Sequence, residues 1–283
     1  MFSIIITCYN EGRELRRAVD SVLQQTYKDY ELIVVKDYLE HEETLSICRE
    51  LENKGIQVLY AKKNVGVSVT RNMGIAVAKG DIIYTVDGDD ELPENALEIV
   101  ADTFLKNPEA EVVFGNYELV ENGQRTVIDC SCLVDTTNIM RIDSFLSCGI
   151  LPYGQNATRK RTAIQYPSSV KYSFGCQDYE LQLRMLGAGV KFVYTPNVIY
   201  SWYRKPTGIN SSARNAESLD ECNYEHRDFV APYIGKKYML GLVKKYGSKE
   251  EYKKYFHQYA PHWCRWAIFF PFKWLTKFAR FVK

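Results

Sequence analysis

The chain has 283 residues, with 36 Lys and Arg against 35 Asp and Glu and a formal net charge of +1. That length buries one large core or two modest ones. The balanced charge creates no field for gathering a polyanion, so nucleic acid is excluded as an expected partner. The first half alternates between two periodicities. Residues 3–7 form a continuous apolar, β-branched run, the pattern of a parallel strand buried on both faces. Leu15, Val19, Val22 and Leu23 then recur at helical spacing. Residues 32–35 predict a second strand, and Leu45, Cys48 and Leu51 a second helix, with Gly55 as its C-terminal stop. A third strand is predicted at 56–60, a helix at 68–78 closed by Gly80, and a fourth strand at 81–86. A helix from Pro93 to about Leu105 and a fifth strand at 112–117 complete the series.

Alternation of this kind predicts a mostly parallel sheet flanked by helices. Such sheets bind ligands beyond the carboxyl ends of their strands. Polar residues there are the first candidates for chemistry: Thr7, Tyr9 and Asn10 after strand one, Asp37 after strand two, and residues 87–90 (DGDD) after strand four. Further on, residues 121–124 (ENGQ) signal a hairpin. A helix is expected at 177–187, strands at 190–193 and 198–203, and a mobile loop at 205–216.

The eight cysteines are scattered and include no C-x-x-C pair. They are expected to be reduced and mostly buried. The apolar run at 2–8 is too short for a signal peptide. No stretch reaches the roughly 18 apolar residues of a spanning helix. The expected location is therefore cytoplasmic. From about residue 233 the composition shifts to Lys and Tyr, and from Trp263 onward Trp and Phe alternate with Lys and Arg. Residues 261–283 suit a helix lying peripherally on the inner face of a membrane. Docking on the protein's own core and a homodimer contact are alternatives, and Pro271 would kink the helix.

The acidic cluster carries the most information. Asp87, Asp89 and Asp90 would repel one another unless a cation neutralises them. Oxygen ligands suit Mg²⁺ or Mn²⁺, which commonly join one or two carboxylates to substrate phosphates. A solvated acidic loop capping the next helix is the alternative. Gly88 would let the backbone turn and a ligand approach. Asp37 can accept from a base imide or a ribose hydroxyl, or can be a turn residue. Arg71 could reach a pyrophosphate or be a surface arginine.

Residues 3–10 (SIIITCYN), 21–27 (SVLQQTY), 30–37 (YELIVVKD), 64–74 (NVGVSVTRNMG) and 80–90 (GDIIYTVDGDD) together resemble the opening of family 2 glycosyltransferases, of GT-A fold. Five ordered motifs in register are far more specific than any one. The resemblance implies a GT-A-type mostly parallel sheet flanked by helices with a C-terminal helical amphipathic tail. It covers residues 3–115 strongly and 116–212 loosely, and it implies a catalytic domain at 1–230, with a donor half at 1–115 and an acceptor half at 116–230, followed by the tail at 231–283. It implies that Thr7, Tyr9 and Asp37 hold the nucleobase, that Arg71 and Asp87 help hold the nucleotide sugar, and that Asp89 meets the metal. The family often has two acids at the second strand end followed by Gly-Ser; here residues 36–39 are KDYL. Residues 176–184 resemble the segment carrying the catalytic base, which makes Asp178 the base with Gln177 in place of the usual Glu. Taken alone, Asp178 would be a helix N-cap. Arg204, Ser211 and Ser212 resemble a segment that closes over the donor phosphates, and Trp202 is expected in the core rather than as a sugar platform.

The implied activity is inverting transfer of a sugar from a nucleoside-diphosphate sugar, with UDP expected, to a glycan or lipid-linked acceptor in cell-surface polysaccharide or glycolipid synthesis. A nucleotidyltransferase would show a Gly-rich basic phosphate loop near its N-terminus, and residues 6–12 supply none. A non-catalytic sugar-nucleotide-binding protein is disfavoured by the retention of Asp37, Asp87, Asp89 and Asp178.

Overall fold

The structure, a computed structural model, describes residues 1–147, 156–162, 176–205 and 213–259. Its compact units are Met1–Ser211 and Ser212–Lys283.

The first unit is built on an eight-stranded sheet. Strands β1 (Phe2–Cys8), β2 (Tyr30–Lys36), β3 (Gln57–Tyr60) and β4 (Ile82–Asp87) are parallel, in the spatial order β3-β2-β1-β4. Helices α1 (Arg13–Leu23), α2 (Glu42–Asn53) and α3 (Val67–Val77) make the crossovers, and α4 (Ala96–Lys106) follows β4. Because β1 is fully buried on both faces, one side of the sheet packs Ile4 and Ile6 against α1, α2 and α4, which contribute Leu15, Val19, Cys48, Leu97 and Val100. The other side packs Ile5, Ile33 and Val35 with Met73, Ile75 and Val77 of α3. A Cβ at Gly74 would collide with Ile5, so a glycine lets α3 lie close on the sheet.

From β4 the sheet continues through β5 (Val112–Glu121), β6 (Gln124–Ile128), β7 (Asn156–Arg159) and β8 (Phe192–Tyr203). β7 runs antiparallel between β4 and β5, and β8 pairs parallel with β5. The β5–β6 hairpin turns where expected, with Asn122 and Gly123 both at positive φ, as a tight hairpin turn requires. α5 (Ile142–Ser147) precedes β7, and α6 (Gln177–Gly187) precedes β8.

Two expectations are corrected in detail. The two strands anticipated at 190–193 and 198–203 are one strand, β8, whose pairing with β5 slips around Asn116. Pro196 lacks the N–H for a continuous ladder, so the chain bulges without leaving the sheet, and Asn116 Nδ2 donates to the Pro196 carbonyl. The helix expected from Pro93 begins at Ala96, after a turn in which Ala96 N bonds the Pro93 carbonyl.

The second unit is helical: α7 (Ala213–Glu225), α8 (Arg227–Val230), α9 (Lys236–Tyr246) and α10 (Lys249–Tyr259). Met239, Leu240, Val243, Tyr252 and Phe256 are buried, and Arg227 pairs with Glu251 at 2.7 Å. The loop expected at 205–216 is thus helical from Ala213, and residues 206–212 lie outside the described ones, as does the aromatic–basic segment 261–283. No described helix is long and apolar enough to cross a membrane. Cys8, Cys48, Cys130, Cys176 and Cys222 are free and buried. Cys132 is in a disulfide, which corrects the expectation of uniformly reduced thiols. Three-dimensional proximity, which sequence spacing does not encode, decides such pairing.

Candidate active site

The chain reverses direction across the sheet between β1 and β4: β2 and β3 lie to one side of β1, β4 to the other. A crevice at such a switch point is where open α/β sheets take ligands. Thr7 at the end of β1 stands in register with Asp87 at the end of β4. Gly88 N donates to the Thr7 carbonyl at 2.8 Å, and Asp37 N to the Cys8 carbonyl at 2.7 Å. The three strand ends are therefore tied together by backbone bonds. Thr7 is buried and Tyr9 is exposed.

Asp37 is buried, and both carboxylate oxygens accept backbone amides at 2.9 Å, Oδ1 from Val65 and Oδ2 from Gly66. It holds the loop that enters α3. The preceding Lys36 is 0% exposed. Its Nζ donates to the carbonyls of Tyr9, Asp37 and Tyr38. Tyr38 has φ 64, a left-handed conformation costly for a bulky residue, and the bond from Lys36 to its carbonyl helps hold it there. The departure from an acid-acid-Gly-Ser pattern thus has a structural counterpart: an ammonium gathers three carbonyls beneath the two loops.

Arg71, on α3, is 2% exposed. Nη2 reaches Asp87 Oδ1 at 2.7 Å and Nη1 reaches Asp178 Oδ1 at 2.6 Å. Its guanidinium is therefore engaged between two carboxylates rather than set on the surface. Asp178 lies within the first turn of α6, whose N-cap is Cys176, so it is not the cap that spacing alone suggested. Burial pushes the Asp178 carboxyl above its usual range, Arg71 pulls it down, and Asp87 pushes it up again. Among the described residues, Asp178 Oδ2 receives a 3.5 Å contact from Gln177 Nε2.

Asp89 and Asp90 have different environments. Asp90 is buried, accepting from Tyr203 N and from the Tyr200 hydroxyl, both at 2.8 Å. Burial and the Asp89 and Asp87 charges raise its pKa well above normal. It anchors the acidic loop to β8. The Asp89 side chain is 29% exposed and faces Lys205 Nζ at 2.9 Å. Burial, then the charge of Asp87, raises its pKa, while Lys205 opposes the rise. Negative charge at Asp89 therefore wants a counter-cation, and its hard oxygen donors fit Mg²⁺ or Mn²⁺. Among the described residues no group of three His, Cys, Asp or Glu could hold a metal ion.

Sequence reasoning missed Glu11, Lys36 as an anchor, and Lys205. Glu11 accepts from Tyr9 N at 2.6 Å, and its carboxyl is pushed up to about 7, mainly by burial. Its signal was its place, two residues beyond Tyr9 at the end of β1. Arg204 pairs with Glu121 at 3.7 Å on the β5–β6 hairpin, away from the carboxylates, and the cation beside Asp89 is its neighbour, Lys205. Trp202 packs partly buried against the core and beside Tyr117, as expected. Ser211 and Ser212 lie outside the described residues.

The family model "Glycosyl transferase family 2" matches residues 3–143. The chain is 34% identical over 119 residues to glycosyltransferase GlyG of Streptococcus pneumoniae, 41% of this chain and 39% of that protein. It is 34% identical over 126 residues to the poly(ribitol-phosphate) beta-N-acetylglucosaminyltransferase TarP of Staphylococcus aureus, 43% of this chain and 38% of TarP. A third relative is the UDP-Glc:alpha-D-GlcNAc-diphosphoundecaprenol beta-1,3-glucosyltransferase WfgD of Escherichia coli, 31% identical over 122 residues, 43% of this chain and 47% of WfgD. The chain thus spans less than half the length of these curated relatives. Among solved structures it is similar to S. aureus TarS 1–349 in complex with UDP-GlcNAc. The TM-score is 0.66 at 18% identity, covering 92% of this chain and 79% of that one. This likeness shows the GT-A fold, a mostly parallel sheet flanked by helices.

Proposed function

We propose, for a chain that belongs to glycosyl transferase family 2, that it transfers a sugar with inversion from a nucleoside-diphosphate sugar to an acceptor hydroxyl. The observation that carries this reading is the double ion pair of Arg71, which joins Asp87 of the acidic loop to Asp178 on α6. One buried guanidinium sets the donor-side carboxylate and the base at a fixed separation, and fixed separation is what in-line displacement needs.

Asp178 acts as the general base. Its Oδ2 takes the acceptor proton as the acceptor oxygen bonds to the anomeric carbon. The bond from that carbon to the diphosphate breaks on the opposite face, and the leaving group keeps the electron pair. Burial makes Asp178 more basic than an ordinary carboxylate, while the Arg71 guanidinium favours its ionised form. A divalent cation held by Asp89 would supply positive charge to the leaving diphosphate. Thr7, Tyr9 and Asp37 border the crevice where the nucleoside would lie, and Asp37 acts there by fixing the loop at residues 65–66.

UDP is the nucleotide we favour, supported by the UDP-sugar donor in WfgD's name and by the UDP-GlcNAc complex of TarS. A polysaccharide or lipid-linked glycan is the favoured acceptor, in keeping with the acceptors named for TarP and WfgD. Peripheral attachment to the cytoplasmic membrane face through residues 261–283 would suit the lipid-linked case.

The test is release of UDP from a panel of UDP-sugars, with Mg²⁺, with Mn²⁺ and with chelator. Release with at least one sugar is expected, lost in chelator and in Asp89→Ala. Asp178→Asn should cut turnover by about 10²–10⁴-fold while still binding UDP. Near-normal turnover by Asp178→Asn would remove Asp178 as the base.

A further inference from the structure

Lys205 Nζ lies 2.9 Å from Asp89 Oδ2 and 2.6 Å from Glu14 Oε2. Three separate parts of the fold meet there. Lys205 is two residues beyond the end of β8, Asp89 is two residues beyond the end of β4, and Glu14 sits in the first turn of α1. The contact is not an incidental surface pair. Asp89 is flanked by the negative charges of Asp87 and Glu14, and the Lys205 ammonium bridges it to Glu14. Arg17 Nη2 also donates to the Asp89 backbone carbonyl, which fixes the loop that presents the carboxylate. An ammonium and a divalent cation cannot both contact one carboxylate oxygen without strong like-charge repulsion.

We propose that Lys205 is a built-in counter-ion of Asp89 that a divalent cation must displace, so that Asp89 binds metal weakly until a nucleoside diphosphate supplies the other oxygen ligands. This rests on the reading of Asp89 as the cation-holding carboxylate. Glu14 gives the displaced ammonium a second anchor, so Lys205 leaves Asp89 without losing its ion pair. The absence of a three-ligand protein cluster among the described residues leaves Asp89 dependent on the nucleotide's oxygens in the same sense. Metal and nucleotide then bind cooperatively, and by linkage each raises the affinity for the other equally.

Mn²⁺ binding to the full chain, followed by the loss of the free-ion electron paramagnetic resonance signal, tests this without turnover. Wild type, Lys205→Met, Lys205→Arg, Asp89→Asn and the Lys205→Met/Asp89→Asn double variant are titrated without nucleotide, then with UDP. Lys205→Met should bind Mn²⁺ at least about tenfold more tightly than wild type without UDP. Lys205→Arg should match wild type. UDP should raise Mn²⁺ affinity more in wild type than in Lys205→Met. Lys205→Met binding no tighter than wild type overturns the counter-ion proposal alone, provided Asp89→Asn has lost binding in the presence of UDP. If the double variant binds as tightly as Lys205→Met, Asp89 does not hold the cation, and the underlying reading of the site fails.

Discussion

Arg71 and Asp178 stand 107 residues apart in sequence, yet Arg71 Nη1 lies 2.6 Å from Asp178 Oδ1. The same guanidinium binds Asp87 through Nη2. The residue that spacing placed near a pyrophosphate is therefore an internal strut between the two carboxylates with the most distinct proposed roles. A buried arginine suits this task, because its planar fork meets two acceptors in fixed directions and it does not lose its proton.

Replacing Arg71 by Met should destabilise the protein by about 3 kcal/mol at neutral pH, since removing one partner of a buried pair strands the other. The penalty should depend on pH. Asp178 already has its folded pKa raised by burial, and Arg71 is the group that lowers it. Without Arg71 the folded pKa rises further above the unfolded value. A carboxyl with a raised folded pKa contributes its full stability below the unfolded pKa and loses it as pH rises through the folded one. Urea midpoints should therefore differ most between wild type and Arg71→Met at pH 8 and converge toward pH 4. A gap that is flat across that range would show that Asp178 is not the stranded charge.

Gly88 has a steric rather than a conformational reason to be glycine. It is not among the positive-φ residues, contrary to the expectation of a special turn. A Cβ there would lie 2.9 Å from the Thr7 carbonyl oxygen and 3.0 Å from Cys8 Cβ. Gly88→Ala should push the acidic loop off the end of β1. Overpacking of this sort costs about 1–3 kcal/mol, and displaced Asp87 and Asp89 should cost a further tenfold or so in kcat/KM. Gly80→Ala is the control, since its Cβ would meet the backbone of Phe2 and Ser3 at the opposite end of β1. It should lose comparable stability with kcat/KM little changed. Equal loss of activity in both variants would mean that Gly88 acts only through stability.

The donor half was legible because buried parallel strands and their helices carry distinct periods, and because polar residues stand out at strand ends. Thr7, Asp37 and Asp87 were found in that way, and Asp178 only through its resemblance to a longer motif. What stayed hidden depends on contacts between distant elements. Nothing around residue 205 announces that β8 delivers a lysine to the end of β4, and Asp90 resembles its neighbours until Tyr200 and Tyr203 are seen to bury it. The division of β8 into two predicted strands has a local cause: Pro196 breaks the pattern of donors without ending the strand.

Asp37→Asn separates loop-holding from base-reading. The carboxylate accepts from two amides at once, and a carboxamide offers only one oxygen, leaving the other amide facing an NH₂ group. Loss of one buried bond with a stranded donor costs about 1–3 kcal/mol. The thermal midpoint should fall accordingly and the donor KM should rise, with the ranking of UDP against other nucleoside-diphosphate donors unchanged. A reversed ranking would give Asp37 direct contact with the base; an unchanged midpoint would show that the two amide bonds do not hold the loop.

Glu11 offers a test of the electrostatics around Asp89 that requires no substrate. Burial raises its carboxyl from 4.5 to about 7, and Asp89 adds to the rise, while the backbone bonds from Glu11 and Tyr9 and the charge of Lys205 oppose it. Because the folded pKa lies above the unfolded one, ionising Glu11 works against folding. Its contribution is fully present below about 4.5 and is lost as pH climbs through about 7. Glu11→Gln keeps an oxygen for the Tyr9 amide and removes the titration. The variant should be more stable than wild type at pH 8, on the order of 1 kcal/mol, with the advantage much reduced at pH 5. Lys205→Met should enlarge the Glu11→Gln advantage at pH 8, since it deletes a cation that lowers the Glu11 pKa. An advantage equal at both pH values would place the Glu11 carboxylate in a solvated setting, uncoupled from Asp89 and Lys205.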